Sequence, residues 1–261
     1  MRGGGHVSLK GKTALVTGST SGIGLGIARA LADQGARIIF NGFADAGQLA
    51  LLEADLEKRS GQAPLFWPAD LSAGPPAGLN QLGPVDILVN NAGMQHTAPV
   101  EQFPPEVWEK VIALNLSAAF YTIAGLIAGM NERGWGRIIN IASAHGLVAS
   151  VHKAAYVAAK HGLVGLTKVV ALEQAGRGVT CNAICPGWVL TPLVQKQIDA
   201  RAAALGLSEP EARRELLREK QPSGTFTSVE QLGQWAVFLC SPACDNVTGT
   251  SLPVDGGWTA Q

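Results

Sequence analysis

Three residues with complementary proton chemistry stand near the middle of the chain: Ser143, Tyr156 and Lys160. On a helix, Tyr156 and Lys160 would lie on one face, a turn apart. A free tyrosine has a pKa of about 10 and is a poor base at neutral pH. A neighbouring ammonium favours the phenolate and lowers that pKa. Tyr156 would then exchange a proton with an alcohol oxygen, while Ser143 donates a hydrogen bond to that oxygen.

The surrounding sequence predicts where these residues sit. Ile138–Ala142 is an apolar run typical of a buried strand, and a helical pattern begins near Ala154. Ser143 then lies at a carboxyl end of the sheet, where open parallel sheets bind ligands. A Tyr-x-x-x-Lys pair is common in helices and is by itself more often structural than catalytic. The proton chemistry also needs a hydride carrier, so the rest of the chain should hold a nicotinamide.

The N-terminal third has the pattern of a dinucleotide site. Thr13–Thr17 reads as a short strand, a glycine loop follows, and a helix leads to a second strand at Arg37–Asn41. Gly18 allows the tight turn, and Gly22 and Gly24 let backbone amides and the helix N-terminus approach a pyrophosphate. Because a strand precedes the glycines and a helix follows them, the motif predicts nucleotide binding.

The end of the second strand bears on the choice of cofactor. An acidic residue there binds the ribose of NAD, and a basic one accommodates the phosphate of NADP. This chain has Asn41, Gly42 and Phe43, and Ser19–Ser21 of the glycine loop also lacks a cation. The sequence therefore predicts NAD. Asp70, after the third strand, would either accept from the adenine amino group or be an ordinary turn aspartate.

Alternating strands and helices predict a single α/β domain over residues 1–261: a Rossmann-type, doubly wound parallel sheet of about seven strands. Residues 1–8 read as a flexible tail, and the more charged helices at about 191–220 as a substrate lid. Ser72–Pro84, rich in Pro and Gly, leaves room for only a turn or two of helix. The remaining predicted strands are Leu65–Ala69, Asp86–Asn90, Val179–Ile184 and Thr250–Val254, and the remaining helices are Ala44–Arg59, Pro104–Arg133, Thr191–Gly206, Glu209–Glu219 and Val229–Leu239.

Composition excludes several classes of protein. Hydrophobic residues make up 47% and charged residues 15% of the chain, so a large core is expected and disorder is not. The formal net charge is zero, so nothing indicates a nucleic acid or anionic membrane as partner. Val111–Met130 is uncharged and long enough for a membrane span. Its polar and small residues favour a helix buried against a sheet and a second subunit.

The N-terminus lacks an apolar signal core, so we expect a cytoplasmic protein. The cysteines form two pairs with neither redox spacing nor neighbouring histidines. They favour buried free thiols over a zinc site, and we predict no metal. These residues are Cys181, Cys185, Cys240 and Cys244.

Taken in order, these motifs resemble the classical short-chain dehydrogenases/reductases from about Leu9 to the C-terminus. The resemblance implies a dimer or tetramer, with a homotetramer expected. It also implies catalytic roles for Asn115 (holding a proton-relay water), Ser143 (polarising the substrate oxygen), Tyr156 (general acid and base) and Lys160 (binding the nicotinamide ribose and lowering the tyrosine pKa). The implied cofactor-binding residues are Gly18, Thr20, Gly22, Ile23, Gly24, Phe43, Asp70, Leu71, Asn91, Ala92, Gly93, Tyr156, Lys160, Pro186, Gly187, Val189 and Thr191. The short Ser72–Pro84 crossover departs from the family pattern and leaves the adenine-side contacts open.

A narrower set of segments is similar to a bacterial subgroup that oxidises (R)-3-hydroxybutyrate with NAD: Asn91–His96, Ile141–Ser150, Cys185–Trp188 and the terminal Gly-Gly-Trp258. The resemblance implies a substrate site formed by Gln95, His145, Lys153, Trp188, Gln197 and Trp258, together with Ser143 and Tyr156. The residues themselves fit a short hydroxy acid, because a carboxylate needs charged and polar partners once water is excluded.

Each substrate residue also has a simpler interpretation: a lysine before a helix is commonly solvated, and a lone histidine is commonly structural. Two other enzymatic functions stay open, a 3-oxoacyl-thioester reductase preferring NADPH and another short-chain alcohol dehydrogenase. The sequence shows no basic patch for an acidic carrier protein. A non-catalytic, cofactor-sensing protein on the same fold is a third alternative, because fold alone does not decide function.

Overall fold

The computed structural model describes residues 7–218 and 220–261. The predicted tail falls mostly on residues 1–6, outside that range, as does Glu219 of the predicted lid. Within the described residues, seven strands form one parallel sheet. They are β1 (Thr13–Val16), β2 (Arg37–Asn41), β3 (Leu65–Trp67), β4 (Ile87–Asn90), β5 (Gly136–Ile141), β6 (Val179–Pro186) and β7 (Ser251–Val254).

The strand order is β3-β2-β1-β4-β5-β6-β7. It reverses between β1 and β4, which leaves a crevice at the carboxyl ends of the strands. The prediction of a doubly wound sheet is confirmed. The helices of the described residues are α1 (Gly22–Asp33), α2 (Ala46–Ser60), α3 (Pro105–Ile112), α4 (Ala118–Glu132), α5 (Ala154–Glu173), α6 (Pro192–Leu205), α7 (Glu209–Arg218) and α8 (Val229–Leu239).

The element boundaries match the predicted ones to within two residues, and β6 is among the larger differences because it continues to Pro186. The short crossover before β4 holds a single 3₁₀ turn, Leu79–Gln81, as its proline and glycine content predicts. One feature was not predicted: five residues of π-helix, Ala113–Ser117, join α3 to α4. A π-turn changes the direction of side chains locally and is frequent at functional sites. Asn115 lies inside it.

Two helical segments, Pro105–Glu132 and Ala154–Glu173, are long and apolar enough to span a membrane by length and composition alone. In this fold they pack against the sheet: Ile123 and Met130 from one, and Val170 from the other, belong to a single buried cluster. The interpretation of Val111–Met130 as a helix covering the sheet is confirmed.

A buried polar network ties these helices to the sheet directly behind the crevice. Asn90 of β4 donates to the Asn140 side chain of β5 at 2.9 Å. Asn140 donates in turn to Thr167 of α5 at 2.9 Å. Thr122 of α4 donates to Asn90 at 2.7 Å. Because each pair has a required geometry, the network fixes the relative positions of β4, β5 and the two helices.

Helices α6 and α7 form a hairpin with its own small apolar cluster, separate from the main core. The hairpin turns at Gly206, which has φ 65° and follows α6 as its C-cap. The cluster contains Val194, Ile198, Ala212 and Leu216, with Trp188 packed at its edge. Through Trp188 the hairpin reaches the carboxyl edge of the sheet.

Candidate active site

The crevice at the carboxyl edge contains two adjoining cavities, which we call the cofactor chamber (about 360 Å³) and the reaction chamber (about 370 Å³). Ser143 and Tyr156 line both, so they stand where the two chambers meet. Lys160 and Asn115 line the cofactor chamber. The four residues predicted to be catalytic therefore come together at one place.

Tyr156 and Lys160 lie on α5, with the Lys160 ammonium 5.6 Å from the centre of the tyrosine ring. The ammonium donates to the Ile141 carbonyl oxygen at 2.7 Å, so α5 is linked to the end of β5. Ser143 follows that strand and shares a hydrogen bond with Tyr156. Its Oγ also accepts from the backbone amide of His145 at 3.1 Å. These contacts hold the serine and phenol oxygens toward a common ligand position.

The pKa of Tyr156 differs from the sequence-based expectation. The Tyr156 side chain is only partly exposed, and its burial raises the pKa of the phenol above its usual value of 10.0. The hydrogen bond from Ser143 acts in the opposite direction and is the smaller effect. The prediction of a pKa lowered by Lys160 is wrong for this structure, because desolvation of the phenol dominates. Burial also lowers the pKa of Lys160 from 10.5 to about 8.

The π-helical segment Ala113–Ser117 sets the orientation of the Asn115 side chain. Its Nδ2 donates to the carbonyl oxygens of Met94 and Val111, both at 2.9 Å. Its Oδ1 is buried and finds no partner among the described residues. A Cβ on Gly93 would lie 2.6 Å from that oxygen, so glycine is required beside it. A buried carbonyl oxygen without a partner is a position for an ordered water.

The cofactor chamber is built on close backbone approaches. A Cβ on Gly24 would lie 2.4 Å from the Gly18 carbonyl oxygen, so only glycine fits there. Ser21, at the N-cap of α1, makes no side-chain capping hydrogen bond within the described structure, and the first amides of α1 stay available to an anion. Predicted cofactor residues that line the chamber are Gly18, Gly22, Ile23, Asn91, Ala92, Gly93, Tyr156, Lys160, Pro186, Gly187 and Thr191.

Other predicted cofactor residues lie outside this chamber. Thr20 donates to the carbonyl of Phe43 at 3.2 Å, and the Phe43 ring is 82% exposed beyond β2. Leu71 is buried in the core near Asn115. Asp70 is exposed and accepts from the amide and hydroxyl of Ser72 at 2.8 and 2.7 Å. These bonds lower its pKa and are those of a turn aspartate.

The reaction chamber brings together every residue predicted to bind substrate. Trp188 and Trp258 are nearly parallel, at 24° and with ring centroids 6.3 Å apart, and the Lys153 ammonium lies 5.8 Å from the Trp188 ring. The Trp188 indole N–H is buried and without an acceptor among the described residues. The predicted residues lining this chamber are Gln95, His145, Lys153, Trp188, Gln197 and Trp258, with Val189 from the cofactor set.

His145 is neutral in this site. Its pKa is lowered from 6.5 to about 4, mainly by burial and in smaller part by the positive charges of Lys153, Lys220 and His161. The Nε2 atom lies 2.9 Å from Ser150 Oγ, and Nδ1 lies 3.5 Å from Ser143 Oγ. A neutral imidazole can donate or accept one hydrogen bond on each nitrogen but brings no charge. The positive charge facing a substrate anion therefore comes from Lys153.

Sequence reasoning missed several residues that form the chamber. Thr97 and Val194 line it, and Ser150 orients the imidazole of His145. Ser150 lies in the Ile141–Ser150 segment and Thr97 directly after Asn91–His96, so proximity to those motifs was the available signal. Val194 carried no chemical signal, because an apolar side chain one turn into a helix is ordinarily a packing residue.

Comparison with known proteins agrees with this arrangement. A family model described as short chain dehydrogenase matches residues 12–202. The chain is 57% identical over 257 residues to D-beta-hydroxybutyrate dehydrogenase of Cupriavidus necator, covering 97% of this chain and 100% of that protein. It is 50% identical over 258 residues to the protein of the same name from Rhizobium meliloti, covering 96% and 99%.

Among solved structures, L-sorbose reductase from Gluconobacter frateurii, complexed with NADPH and L-sorbose, superposes with a TM-score of 0.91 at 30% identity. The match covers 98% of this chain and 100% of that one. The strand order, the glycine loop and the Ser/Tyr/Lys arrangement define an oxidoreductase of the short-chain type. The chain belongs to the short-chain dehydrogenase family.

Proposed function

We propose that this protein catalyses the reversible, NAD-dependent oxidation of (R)-3-hydroxybutyrate to acetoacetate. The observation that carries the proposal is the reaction chamber: a lysine, two glutamines and a neutral histidine surround a small cavity that opens on Ser143 and Tyr156. A carboxylate and a secondary alcohol separated by one methylene carbon are the groups such a chamber matches. The two relatives identical at 57% and 50% carry the corresponding name.

The residues of the cofactor chamber fit a dinucleotide. Its floor is glycine at the positions where backbone must approach a ligand, and the amide groups at the start of α1 suit a pyrophosphate. Lys160 would hold the nicotinamide ribose, and Thr191, which caps α6, would meet the carboxamide. When bound, the nicotinamide would supply hydride transfer to and from C3 of the substrate.

The surroundings of β2 support NAD over NADP. The Asn41 carboxamide is fully used inside the protein: it donates to the carbonyls of Trp67 and Ala69 at 2.9 Å and accepts from Gly18 at 3.2 Å. Beyond it stand Gly42 and the exposed Phe43, which offer no cation to a 2′-phosphate. A phosphate placed there would lack the charged partner it needs.

The side chains of the site account for the transfer of the substrate hydroxyl proton. In oxidation, Tyr156 accepts the proton of the C3 hydroxyl, and Ser143 donates a hydrogen bond to the substrate oxygen as its charge changes. Burial keeps the phenol protonated at rest, which suits it to donate in the ketone-reducing direction. In the oxidising direction the phenol must first lose this proton. Asn115 Oδ1 would hold the water through which the proton leaves.

The substrate carboxylate pairs with Lys153, with the Gln95 and Gln197 amides at the rim. Trp188 and Trp258 cover the aliphatic carbons. This arrangement favours a free acid over a thioester, because a thioester carries no negative charge to meet the Lys153 ammonium. The α6–α7 hairpin contributes Gln197 to the chamber and would act as a lid over it.

The proposal is tested by reduced-nicotinamide absorbance with purified protein. We expect turnover of (R)-3-hydroxybutyrate with NAD, little with the (S) enantiomer, and a lower kcat/KM with NADP. Acetoacetate with NADH should react in reverse, and an acetoacetyl thioester should be the poorer substrate. A preference for NADPH and the thioester would instead identify a 3-oxoacyl reductase. No turnover with any of these pairs, while NAD still binds, would favour the cofactor-sensing alternative.

We further propose that the protein works as a cytoplasmic homotetramer. Apolar side chains remain exposed on α4, α5 and α8, including Phe120, Leu172 and Phe238 at 51%, 79% and 47%. Large apolar side chains left exposed on helices are the kind of surface that subunit contacts cover. Light scattering coupled to size exclusion measures the mass, and a monomer at micromolar concentration would contradict this assembly.

A further inference from the structure

A chain of polar contacts leads from Ser150, in the loop before α5, through the imidazole of His145 to Ser143. Ser150 Oγ lies 2.9 Å from His145 Nε2. On the other side of the ring, Nδ1 lies 3.5 Å from Ser143 Oγ. This second contact is long, but the hydrogen bonds of a catalytic site often tighten only when substrate is bound. The imidazole therefore joins two serine hydroxyls, of which one faces the reacting oxygen.

Aromatic neighbours fix the plane of the buried His145 ring. The Trp258 ring meets it edge to face, with centroids 5.0 Å apart and an interplanar angle of 82°. The Tyr156 ring meets it at 5.9 Å and 74°. Turning the imidazole would disrupt both of these contacts. Each ring nitrogen is therefore held toward the serine that it faces.

The Ser143 hydroxyl can donate only one hydrogen bond, and the reaction needs that bond. Ser143 must donate to the substrate oxygen in order to stabilise the charge that develops there. Its Oγ can also accept two hydrogen bonds. The backbone amide of His145 takes one of these acceptor positions, at 3.1 Å. One acceptor position is left for Nδ1 of the same residue.

The ring nitrogen that carries the hydrogen decides what Ser143 can do. His145 is neutral at pH 7, and a neutral imidazole has a single N–H. With the hydrogen on Nε2, the bare Nδ1 would accept from Ser143 and draw its hydroxyl hydrogen away from the substrate. With the hydrogen on Nδ1, the ring donates to Ser143 Oγ, and the serine hydrogen is left for the substrate oxygen. Only the second tautomer supports the reaction.

We propose that Ser150 is a positioning residue: its hydroxyl donates to His145 Nε2, holds the imidazole in the Nδ1–H tautomer, and thereby directs the Ser143 hydroxyl to the substrate oxygen. Three donors then point in one direction, from Ser150 to the substrate. Aligned hydrogen bonds polarise one another, so the last bond strengthens as charge develops on the substrate oxygen. The kinetic half of this inference rests on the proposed function, because turnover is followed with 3-hydroxybutyrate.

Removal of the Ser150 hydroxyl should slow the chemical step and leave substrate binding intact. Ser150 lines a separate cavity of about 530 Å³ and is not among the described residues that line the reaction chamber. We therefore expect Ser150→Ala to lower kcat about tenfold, with KM for 3-hydroxybutyrate within about twofold of the wild type. Ser150→Thr keeps the hydroxyl, has room for its methyl group in that cavity, and should restore kcat. Val151→Ala changes an exposed neighbour in the same loop and should match the wild type.

A double-mutant cycle tests whether Ser150 acts through Ser143. In the Ser143→Ala background the hydroxyl to be directed is gone, so Ser150→Ala should lower kcat no further. Loss of one donor to a developing oxyanion costs about 10²–10³ in kcat, which leaves turnover to measure in that background. The same loss of kcat in both backgrounds, or a Ser150→Ala protein with a raised KM and the kcat of the wild type, would overturn the proposal.

The tautomer can be measured without turnover, which separates this inference from the proposed function. Magic-angle-spinning NMR of protein labelled with ¹⁵N-histidine distinguishes a ring nitrogen bonded to hydrogen from a bare one. The chain has five histidines, and the signals of His145 are those missing from His145→Asn. We expect the hydrogen on Nδ1 in the wild type and a mixture of tautomers in Ser150→Ala.

The wild-type spectrum is decisive even if the Ser150 variants fold poorly. A hydrogen on Nε2 of His145 in the wild type would refute the inference, whatever the enzyme oxidises. A hydrogen on Nδ1 in a protein inactive on 3-hydroxybutyrate would support the assigned tautomer and refute the proposed substrate.

Discussion

Replacing Lys160 by methionine should abolish turnover and make the protein more stable. The lysine is 4% exposed, and burial lowers its pKa from 10.5 to about 8. One pKa unit corresponds to about 1.4 kcal/mol, so holding the proton in the folded state at pH 7 costs about 3 kcal/mol. Methionine fills a similar volume without charge, and this cost disappears in the variant.

The Lys160→Met variant loses part of this gain in stability, because it also loses a hydrogen bond. The ammonium donates to the Ile141 carbonyl at 2.7 Å, and the variant leaves this buried oxygen without its donor. Such a loss costs about 1 kcal/mol. The expected net change is therefore an increase of about 2 kcal/mol in the free energy of unfolding at pH 7.

The pH dependence of the free energy of unfolding tests whether burying the Lys160 charge is indeed destabilising. At pH 7 the lysine is protonated in both the folded and the unfolded chain, so the full cost is present. As the pH rises from about 8 to 10.5, the folded protein loses the proton first and the wild type recovers stability. The difference between variant and wild type should shrink across that interval and vanish or reverse above it.

Urea denaturation followed by tryptophan fluorescence, at equal chain concentration, measures the free energy of unfolding of each variant at pH 7 and its change with pH. Lys168→Met is the matched control, because Lys168 lies exposed on the same helix and should change stability little. A Lys160→Met protein less stable than the wild type by more than about 1 kcal/mol would refute the argument that desolvation dominates at this lysine.

Three further outcomes are expected. Tyr156→Phe should lower kcat by at least about a hundredfold while NAD binding, followed by fluorescence, is kept; near-normal turnover would remove the phenol from the proton path. The pKa of His145 is about 4 in the folded protein and 6.5 in the unfolded chain, so the neutral imidazole contributes fully to stability above pH 6.5. This contribution, at most about 3 kcal/mol, is lost as the pH falls toward 4. His145→Asn should therefore reduce the dependence of the free energy of unfolding on pH between 6.5 and 4, and an unchanged dependence would contradict this explanation. His152, next to Lys153, has a left-handed backbone conformation with φ 63°, and its carbonyl oxygen accepts from the Ala98 amide at 3.0 Å. His152→Gly should leave KM unchanged, whereas His152→Val should lower the free energy of unfolding by about 1–2 kcal/mol and raise KM. Equal behaviour of the two variants would refute backbone strain as the cause.

The sequence predicted the sheet and its catalytic edge because both depend on local signals. Short runs rich in apolar residues identified the strands, and Gly18, Gly22 and Gly24 fall where only glycine fits or where φ is positive. Ser143, Tyr156 and Lys160 were found because strand end and helical spacing place them together. The substrate residues came from resemblance, since no periodicity links Gln95, Lys153 and Gln197.

What the sequence could not supply depends on three-dimensional surroundings. The π-turn around Asn115 has no local pattern, and it is held by hydrogen bonds to Met94 and Val111. The pKa of Tyr156 was predicted in the wrong direction because spacing shows the nearby lysine but not the desolvation of the phenol.

The catalytic edge is made of groups whose burial is unfavourable: a charged Lys160, a desolvated phenol and the unpartnered oxygen of Asn115. The apolar sheet beneath them supplies the offsetting free energy. Activity and stability should therefore oppose each other at these three positions. Lys153 is only partly buried, on the wall of an open chamber. Its replacement by methionine should raise KM with little change in stability, and a large loss of stability there would show that Lys153 supports the fold as well as the substrate.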